Sequence, residues 1–185
     1  MRVLAISGSL RRDSHNTALL RAAAELLPAP VTLELFKGLR DVPPYDADDD
    51  VEPAPAAVAR LREAIAGADA ILIATPEYNH SIPGQLKNAL DWASRPFPDN
   101  ALAGKPVVVV GASAGMFGAV WAQAELRKVL GATGARVIDR ELPVGHAEGA
   151  FDPEGHLADP ELSGRLAEML AELLDAADQR YPLAA

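Results

Sequence analysis

The sequence predicts an α/β fold in which five parallel strands form a doubly wound sheet with helices on both faces. Short apolar runs, typical of buried strands, alternate along the chain with longer segments whose apolar residues recur at helical spacing. This alternation is typical of βαβ units, whose right-handed crossovers place helices over both faces of a parallel sheet. A chain of 185 residues suits one such domain, so residues 1–185 are predicted to form a single domain.

The predicted strands are short, rich in apolar or β-branched residues, and bounded by glycine, proline or polar residues. They cover residues 2–7, 31–36, 68–75, 105–113 and 135–139. The first and third of these runs show no polar alternation, so both faces of those strands are expected to be buried. Residues 37–55 are rich in Asp, Pro and Gly and are predicted to form a long loop.

The predicted helices lie between the strands and after the last one. They cover residues 16–27, 58–65, 85–94, 119–130 and 159–178. Trp92 and Trp121 lie on two of these helical patterns, where contact with the core or with another subunit is the expected role.

Composition excludes several classes of function. The net charge of −9 argues against nucleic acid or an anionic membrane as the main partner. The absence of cysteine excludes disulfides, iron–sulfur clusters and thiolate metal sites, and it fits a reducing compartment. No signal peptide or membrane-spanning run is expected, and the histidines lack metal-ligand spacing, so we expect a cytoplasmic protein without a metal site.

The loop after the first strand, GSLRRDSHNT at residues 8–17, has the character of an anion site. It leads into a predicted helix, whose N-terminal N–H groups favour a negative ligand. Hydroxyl, amide and guanidinium groups in the loop add donors for a phosphate. Neither the Walker A pattern nor G-x-G-x-x-G is present, which leaves a mononucleotide phosphate as the expected ligand.

The loop after the third strand, PEYNHSIPG at residues 76–84, holds a tyrosine between two prolines. A phenol ring beside exposed backbone amides suits a flat aromatic ligand. The alternative is a rigid turn that packs the ring of Tyr78 into the core, and the spacing favours neither interpretation.

The loop after the fourth strand contains Gly111-Ala112-Ser113-Ala114-Gly115, which matches the G-x-S-x-G pattern of a serine hydrolase. Asp139 and His146 or His156 follow in the chain order that an esterase triad requires. The predicted sheet is short for that fold, and the first loop suits a phosphate better than an oxyanion. A ligand-binding serine is therefore favoured over a nucleophile, with the esterase kept as an alternative.

These three loops, on the first, third and fourth strands, resemble those of the NADPH-dependent FMN reductase family, and in particular its bacterial quinone and chromate reductases. The resemblance rests on GSLRRDSHNT (8–17), TPEYNHSIPGQLKNALDW (75–92) and GASAGMFG (111–118). It implies a flavodoxin-like fold, bound FMN, NADPH or NADH as co-substrate, and a small-molecule electron acceptor. It also implies a homodimer or homotetramer.

The resemblance further implies which residues bind FMN. The phosphate would be held by Ser9, Arg11, Ser14, Asn16 and Thr17. The isoalloxazine ring would be lined by Pro76, Glu77, Tyr78 and Asn79, largely through backbone groups, and flanked by Ser113 and Gly115. The flavin itself would carry the chemistry, so no catalytic side chain is expected.

One position departs from the family pattern. Many relatives of the quinone reductase type carry an arginine in the segment after the glycine loop, where this chain has Trp121. The tetramer and the substrate contact that this arginine supports in relatives are therefore open questions here. A flavodoxin-like electron carrier is the further alternative, and the arginine-bearing first loop argues against it.

Overall fold

A parallel sheet forms the centre of this computed structural model, which describes residues 1–179. Its strands are β1 (Arg2–Ser7), β2 (Thr32–Leu35), β3 (Ala70–Thr75), β4 (Pro106–Ala112), β5 (Arg136–Val137) and β6 (Pro143–Val144). The order across the sheet is β2-β1-β3-β4-β5, with β6 also paired to β4, and all recorded pairs are parallel. This is the flavodoxin-like order, so the predicted fold class is confirmed.

The fifth position of the sheet is shared by two short strands. Val107 of β4 pairs with Val137 of β5, and Gly111 of β4 pairs with Pro143 of β6. The sequence separation of the second pair is larger by two residues, so the segment between β5 and β6 carries two extra residues. In this segment Asp139 and Arg140 form ion pairs with side chains of neighbouring helices. The predicted strand at 135–139 is therefore shorter than expected, and β6 was not predicted.

Five helices cover the sheet and lie close to their predicted positions. They are α1 (His15–Glu25), α2 (Ala56–Ala66), α3 (Gly84–Ala93), α4 (Val120–Ala132) and α5 (Pro160–Asp178). The long loop at 37–55 contains two short 3₁₀ turns, Leu39–Asp41 and Ala47–Asp49. Within the described residues, no helix is both long and apolar enough to cross a bilayer.

Two apolar cores form because successive side chains of a strand point to opposite faces. On β3, Ile71 and Ile73 pack in one core and Ala70, Leu72 and Ala74 in the other. The first core also holds residues of α2, α3 and α4, and the second holds residues of α1 and α5. This double burial explains the absence of polar alternation in β1, β3 and β4, whose residues are all buried except Arg2.

Trp92 anchors the long loop to α3. Its side chain is fully buried, its Nε1–H donates to Pro43 O at 2.9 Å, and its ring meets Tyr45 edge-on with centroids 4.9 Å apart. Arg62 lies over the same ring and donates to Trp92 O. The expected core role of Trp92 is confirmed, whereas Trp121 is 43% exposed.

Replacing Trp92 tests this anchor. Because the change leaves a large cavity in the first core and removes a partner of Pro43, Trp92→Ala should lower the free energy of unfolding by about 3–5 kcal/mol. Trp92→Phe keeps most of the ring volume but loses the N–H donor, and should have an intermediate cost. Urea unfolding followed by circular dichroism measures both, and equal stabilities of Trp92→Ala and the wild type would contradict the assignment.

Candidate functional site

The site lies where the order of strands along the sheet changes direction. From β1 the chain runs outward to β2 and then returns to β3 on the other side of β1, so the loops after β1 and β3 diverge. Such a divergence opens a crevice beyond the carboxyl ends of parallel strands. Residues of the loops after β1, β3 and β4 line a cavity of about 220 Å³ there. They are Ser9, Arg11, Ser14, His15, Asn16, Pro76, Glu77, Tyr78, Ala112, Ser113 and Ala114.

The N-terminus of α1 faces this cavity. Ser14 is the N-cap, with its Oγ accepting from the N–H of Thr17 at 3.3 Å, and Ala18 N–H donates to Ser14 O. An α-helix has no internal acceptor for its first N–H groups, so those of His15 and Asn16 remain for an external acceptor. The first turn carries no acidic residue that would compete with an anion. This end of the cavity is therefore suited to a phosphate.

Asn16 joins two of the three loops. Its side chain is 3% exposed, its Nδ2 donates to Ala112 O at 2.9 Å, and its Oδ1 accepts from Ala112 N–H at 3.0 Å. The amide thus satisfies both backbone groups at the end of β4 and fixes the start of α1 beside it. Its side chain is engaged with protein, so the group that Asn16 offers the cavity is its backbone N–H.

Hydrogen bonds within the loop between β1 and α1 fix its conformation. Arg11 donates through its guanidinium to Asp13 O at 2.7 and 3.3 Å, and its N–H donates to Ser9 Oγ at 3.4 Å. A Cβ at Gly8 would lie 2.9 Å from Leu86 Cδ2, so a side chain there would displace the end of Leu86. The guanidinium of Arg11 is exposed at the cavity wall, which places a fixed positive charge beside the helix terminus.

Thr17 contacts a different part of the structure. Its Oγ1 donates to Ser7 Oγ at 2.9 Å, and it lines the neighbouring cavity, to which Ser9 and Arg11 also contribute. Among the predicted phosphate ligands, Ser9, Arg11, Ser14 and Asn16 line the central cavity, and Thr17 does not.

The loop after β3 forms a tight turn. Asn79 and His80 both have positive φ, at 53° and 61°, as the two central residues of a type I′ turn require. Tyr78 and Ser81 exchange backbone hydrogen bonds of 3.0 and 3.1 Å across the turn. The turn leaves Tyr78 54% exposed, so its ring is not packed in the core. Asn79 is at the turn's tip, outside the cavity lining.

Glu77 links this turn to α4. Its Oε2 accepts from the N–H groups of Trp121 and Ala122, both at 3.1 Å. The N-cap residue of α4, Ala119, has φ of 61° and no side chain able to cap, so the carboxylate supplies the cap from a distant loop. A negative charge at a helix N-terminus is also favourable electrostatically. Glu77 thus reaches the cavity wall while its carboxylate holds the second loop against the third.

The loop after β4 is closed by Ser113 and by close backbone contacts. Ser113 Oγ accepts from Gly115 N–H at 3.1 Å, and Ser113 N–H donates to Val144 O at 3.0 Å. Gly118 has φ of 56°, and a Cβ there would lie 2.3 Å from the carbonyl carbon of Pro143. Ser113 lines the cavity, whereas Gly115 does not belong to its lining.

The groups that an esterase would need are not assembled around Ser113. Asp139 has a 97% exposed side chain and pairs with Arg127, and His156 pairs with Asp152. His146 contacts this loop through its backbone N–H, which donates to Gly115 O. In residues 1–179 no recorded hydrogen bond joins the Ser113 hydroxyl to a histidine.

Buried Gln123 fixes the segment that follows. Its Nε2 donates to Gly118 O at 3.0 Å and to Leu142 O at 3.3 Å, and its Oε1 accepts from Leu142 N–H at 3.0 Å. Trp121, two residues earlier, projects outward beside Phe117 and His80. Over the same described range, no group of His, Asp and Glu has a metal-binding arrangement.

Three cavity residues were not identified from the sequence: His15, Ala112 and Ala114. Each is a direct neighbour of a predicted site residue. Ala112 and Ala114 lie at or just after the end of β4 and His15 is the first residue of α1, and these positions were the signals that could have identified them. The structural role of Glu77 was also missed, since its partners Trp121 and Ala122 lie more than forty residues away.

Known proteins are similar to this chain in sequence. Residues 1–149 match the model of the family described as NADPH-dependent FMN reductase. The chain is 43% identical over 174 residues to an NAD(P)H-dependent FMN reductase of Pseudomonas aeruginosa, covering 94% of this chain and 93% of that protein. It is 40% identical over 156 residues to a quinone reductase of Escherichia coli, covering 83% and 82%.

A solved structure agrees with these sequence relatives. The flavoenzyme FerB of Paracoccus denitrificans, an NAD(P)H:(acceptor) oxidoreductase, superposes with a TM-score of 0.83 at 35% identity, covering 96% of this chain and 97% of that one. The prediction of an FMN-dependent oxidoreductase is confirmed by these relationships. The sheet order, the loops at its switch point and the relatives together show that this chain belongs to the NADPH-dependent FMN reductase family.

Proposed function

We propose that this protein transfers hydride from NAD(P)H, through bound FMN, to a small-molecule acceptor. The acceptors considered are a quinone, an azo or nitro aromatic, chromate and free flavin. The observation that carries the proposal is the cavity at the switch point, which the N-terminal turn of α1 and the loops after β3 and β4 line together. The names of the relatives, an FMN reductase and a quinone reductase, support the same chemistry.

The first part of the proposed site is the phosphate end. Ser9, Arg11, Ser14, Asn16 and Thr17 would hold the phosphate. Support comes from the free N–H groups of the first turn of α1, from the hydroxyls, and from the exposed guanidinium of Arg11. Asn16 would contribute its backbone N–H, because its side chain is bonded to Ala112. Thr17 would act indirectly, because its hydrogen bond to Ser7 fixes the loop after β1.

The second part is the ring slot. Pro76, Glu77, Tyr78 and Asn79 on one loop and Ser113 and Gly115 on another would flank the isoalloxazine. Pro76 has no N–H and its carbonyl accepts from Thr75 Oγ1, and the side chain of Glu77 is bonded to α4, so the backbone N–H of Glu77 would meet the edge of the flat ring. Ser113 would donate from its hydroxyl while accepting from Gly115 N–H.

Bound FMN supplies the two-electron chemistry that takes hydride from a nicotinamide and reduces an acceptor. The chain's residues would hold the phosphate, orient the ring and keep one of its faces open to the two substrates in turn. No acid–base pair is needed for these tasks, which agrees with the lack of a triad around Ser113.

The chain would act as a single domain, a homo-oligomer and a cytoplasmic protein. Phe97, beyond the end of α3, and Val51, next to Asp50, are exposed apolar side chains, and such side chains suit a subunit contact. A cysteine-free sequence fits the cytoplasm. Sedimentation velocity tests whether the assembly is a dimer or a tetramer.

The purified protein should bind FMN and use it. Because the site offers a phosphate end and a ring slot, we expect flavin absorbance after reconstitution, and anaerobic bleaching on titration with NADH or NADPH. Absorption spectroscopy measures both steps. A protein that binds FMN but is bleached only by a partner reductase would be an electron carrier, and a protein that binds no FMN would contradict the proposal.

Ser113→Ala separates the reductase from the esterase. The variant should retain measurable reductase activity with a weakened or retuned flavin, since it loses only one hydrogen-bonding group near the ring. Steady-state NAD(P)H oxidation with a quinone and hydrolysis of a p-nitrophenyl ester are measured on the same samples. Ester hydrolysis in the wild type that disappears in Ser113→Ala would favour the esterase.

Asn16→Ala tests the link between the first and third loops. It leaves the backbone groups of Ala112 without partners, so the free energy of unfolding should fall by about 1–3 kcal/mol. FMN affinity should fall as well, because α1 loses its fixed position beside β4. Urea unfolding and fluorescence titration with FMN measure the two effects. Arg21→Ala, an exposed change on the same helix, is the control and should alter stability by less than about 0.5 kcal/mol.

A further inference from the structure

Three exposed rings form a continuous aromatic wall beside the proposed ring slot. We define the wall as His80, Phe117 and Trp121. The ring of Trp121 meets Phe117 with centroids 5.0 Å apart at 65° and meets His80 with centroids 5.0 Å apart at 89°. Phe117 is 55% exposed and Trp121 43% exposed, so both keep free apolar surface.

The wall is attached to residues that line the cavity. The backbone N–H of Trp121 donates to the carboxylate of Glu77, and His80 belongs to the same turn as Tyr78. Phe117 follows Ala114 in the third loop. The wall therefore rises from the rim of the slot where the ring of FMN is proposed to lie.

The backbone that carries Trp121 and Phe117 is fixed by contacts within the protein. Glu77 caps α4 by accepting from the N–H groups of Trp121 and Ala122. Gly118, which lies between Phe117 and Trp121 in the chain, packs directly against Pro143. A preorganised ring loses little freedom when a flat molecule stacks on it, which favours binding. Two edge-on contacts leave the outer surface of each ring available for stacking.

The charges attached to the wall are negative. The carboxylate of Glu77 accepts from Trp121 N–H, and its Oε1 lies 3.6 Å from His80 Nδ1. Glu125 accepts from Ser81 Oγ at 2.8 Å at the base of the turn. Arg11, by contrast, lies at the phosphate end and donates to Asp13 O. These carboxylates repel an approaching anion, whereas a neutral flat molecule can stack on the rings of Trp121 and Phe117 without that repulsion.

We propose that the aromatic wall is an acceptor subsite that selects neutral, flat aromatic acceptors and disfavours anionic ones. This inference rests on the proposed function and narrows its acceptor class to neutral quinones. The quinone would take a hydride from the reduced flavin, which is thereby oxidised by two electrons, and one proton from solvent, so that it leaves as the hydroquinone. Trp121 and Phe117 determine specificity by stacking on the quinone's outlying apolar portion.

The test compares a neutral quinone, menadione, with a sulfonated naphthoquinone. FMN-loaded protein is reduced photochemically without oxygen and mixed rapidly with each quinone, and the second-order rate of flavin reoxidation is followed by absorbance. The ratio of the two rates is divided by the same ratio for free reduced FMN, which removes the intrinsic reactivity of each quinone. The wild type should favour menadione relative to free FMN.

Variants assign this preference to the wall. Trp121→Arg should shift the corrected ratio toward the sulfonate by about tenfold, since a cation replaces the ring next to the slot. Trp121→Leu should lower the rate of flavin reoxidation by menadione about fivefold, because stacking is lost. Trp121→Phe should keep most of the wild-type rate, because it retains an aromatic ring. Ala132→Arg adds the same charge at the far end of α4 and should leave the ratio unchanged.

The outcomes separate this inference from the proposed function. A wild-type ratio equal to that of free FMN, or a ratio that Trp121→Arg and Ala132→Arg shift equally, overturns the aromatic wall as a selective subsite and leaves the reductase in place. A reduced protein that neither quinone reoxidises overturns both. A shift confined to Trp121→Arg, with loss in Trp121→Leu and recovery in Trp121→Phe, supports the subsite.

Discussion

The parallel pairing of β1, β3 and β4 is the constraint on which the rest of this structure depends. These strands are buried on both faces, so their backbone groups must pair with one another and their side chains must fill two separate cores. Parallel strands that share a register end at one edge of the sheet. The three loops that carry the polar residues therefore meet at that edge, although they are far apart in the chain.

Hydrogen bonds between the loops fix their positions relative to one another. Asn16 joins the first loop to the end of β4, and Glu77 joins the second loop to the start of α4. Gln123 holds the segment after the third loop against the neighbouring strand. Each of these side chains satisfies backbone groups that would otherwise lack partners, so the geometry of the site and the stability of the fold have the same origin. Residues that match a binding motif in sequence can thus have their side chains committed to structure, as those of Asn16 and Glu77 are.

Binding loops with no catalytic constellation suit chemistry that a cofactor performs. Ser113 illustrates the point, because its hydroxyl is bonded within its own loop and Asp139 lies exposed beside Arg127. What the chain itself would contribute under our proposal is placement, through the phosphate end, the ring slot and the aromatic wall. Differences among acceptors would then follow from the surface of the wall and from the charges beside it.

The pattern of residues along the chain was enough to predict the α/β class, the five helices, the parallel sheet and the three loops of the candidate site. These follow from the period of apolar residues and from local helix and turn signals, which act over a few residues. Four features became visible only in the folded protein: the fifth strand is divided, Glu77 caps α4, Thr17 bonds to Ser7, and Trp121 is exposed. These features depend on partners far away in the chain, which come into contact only when the strands align, and no local pattern records such partners.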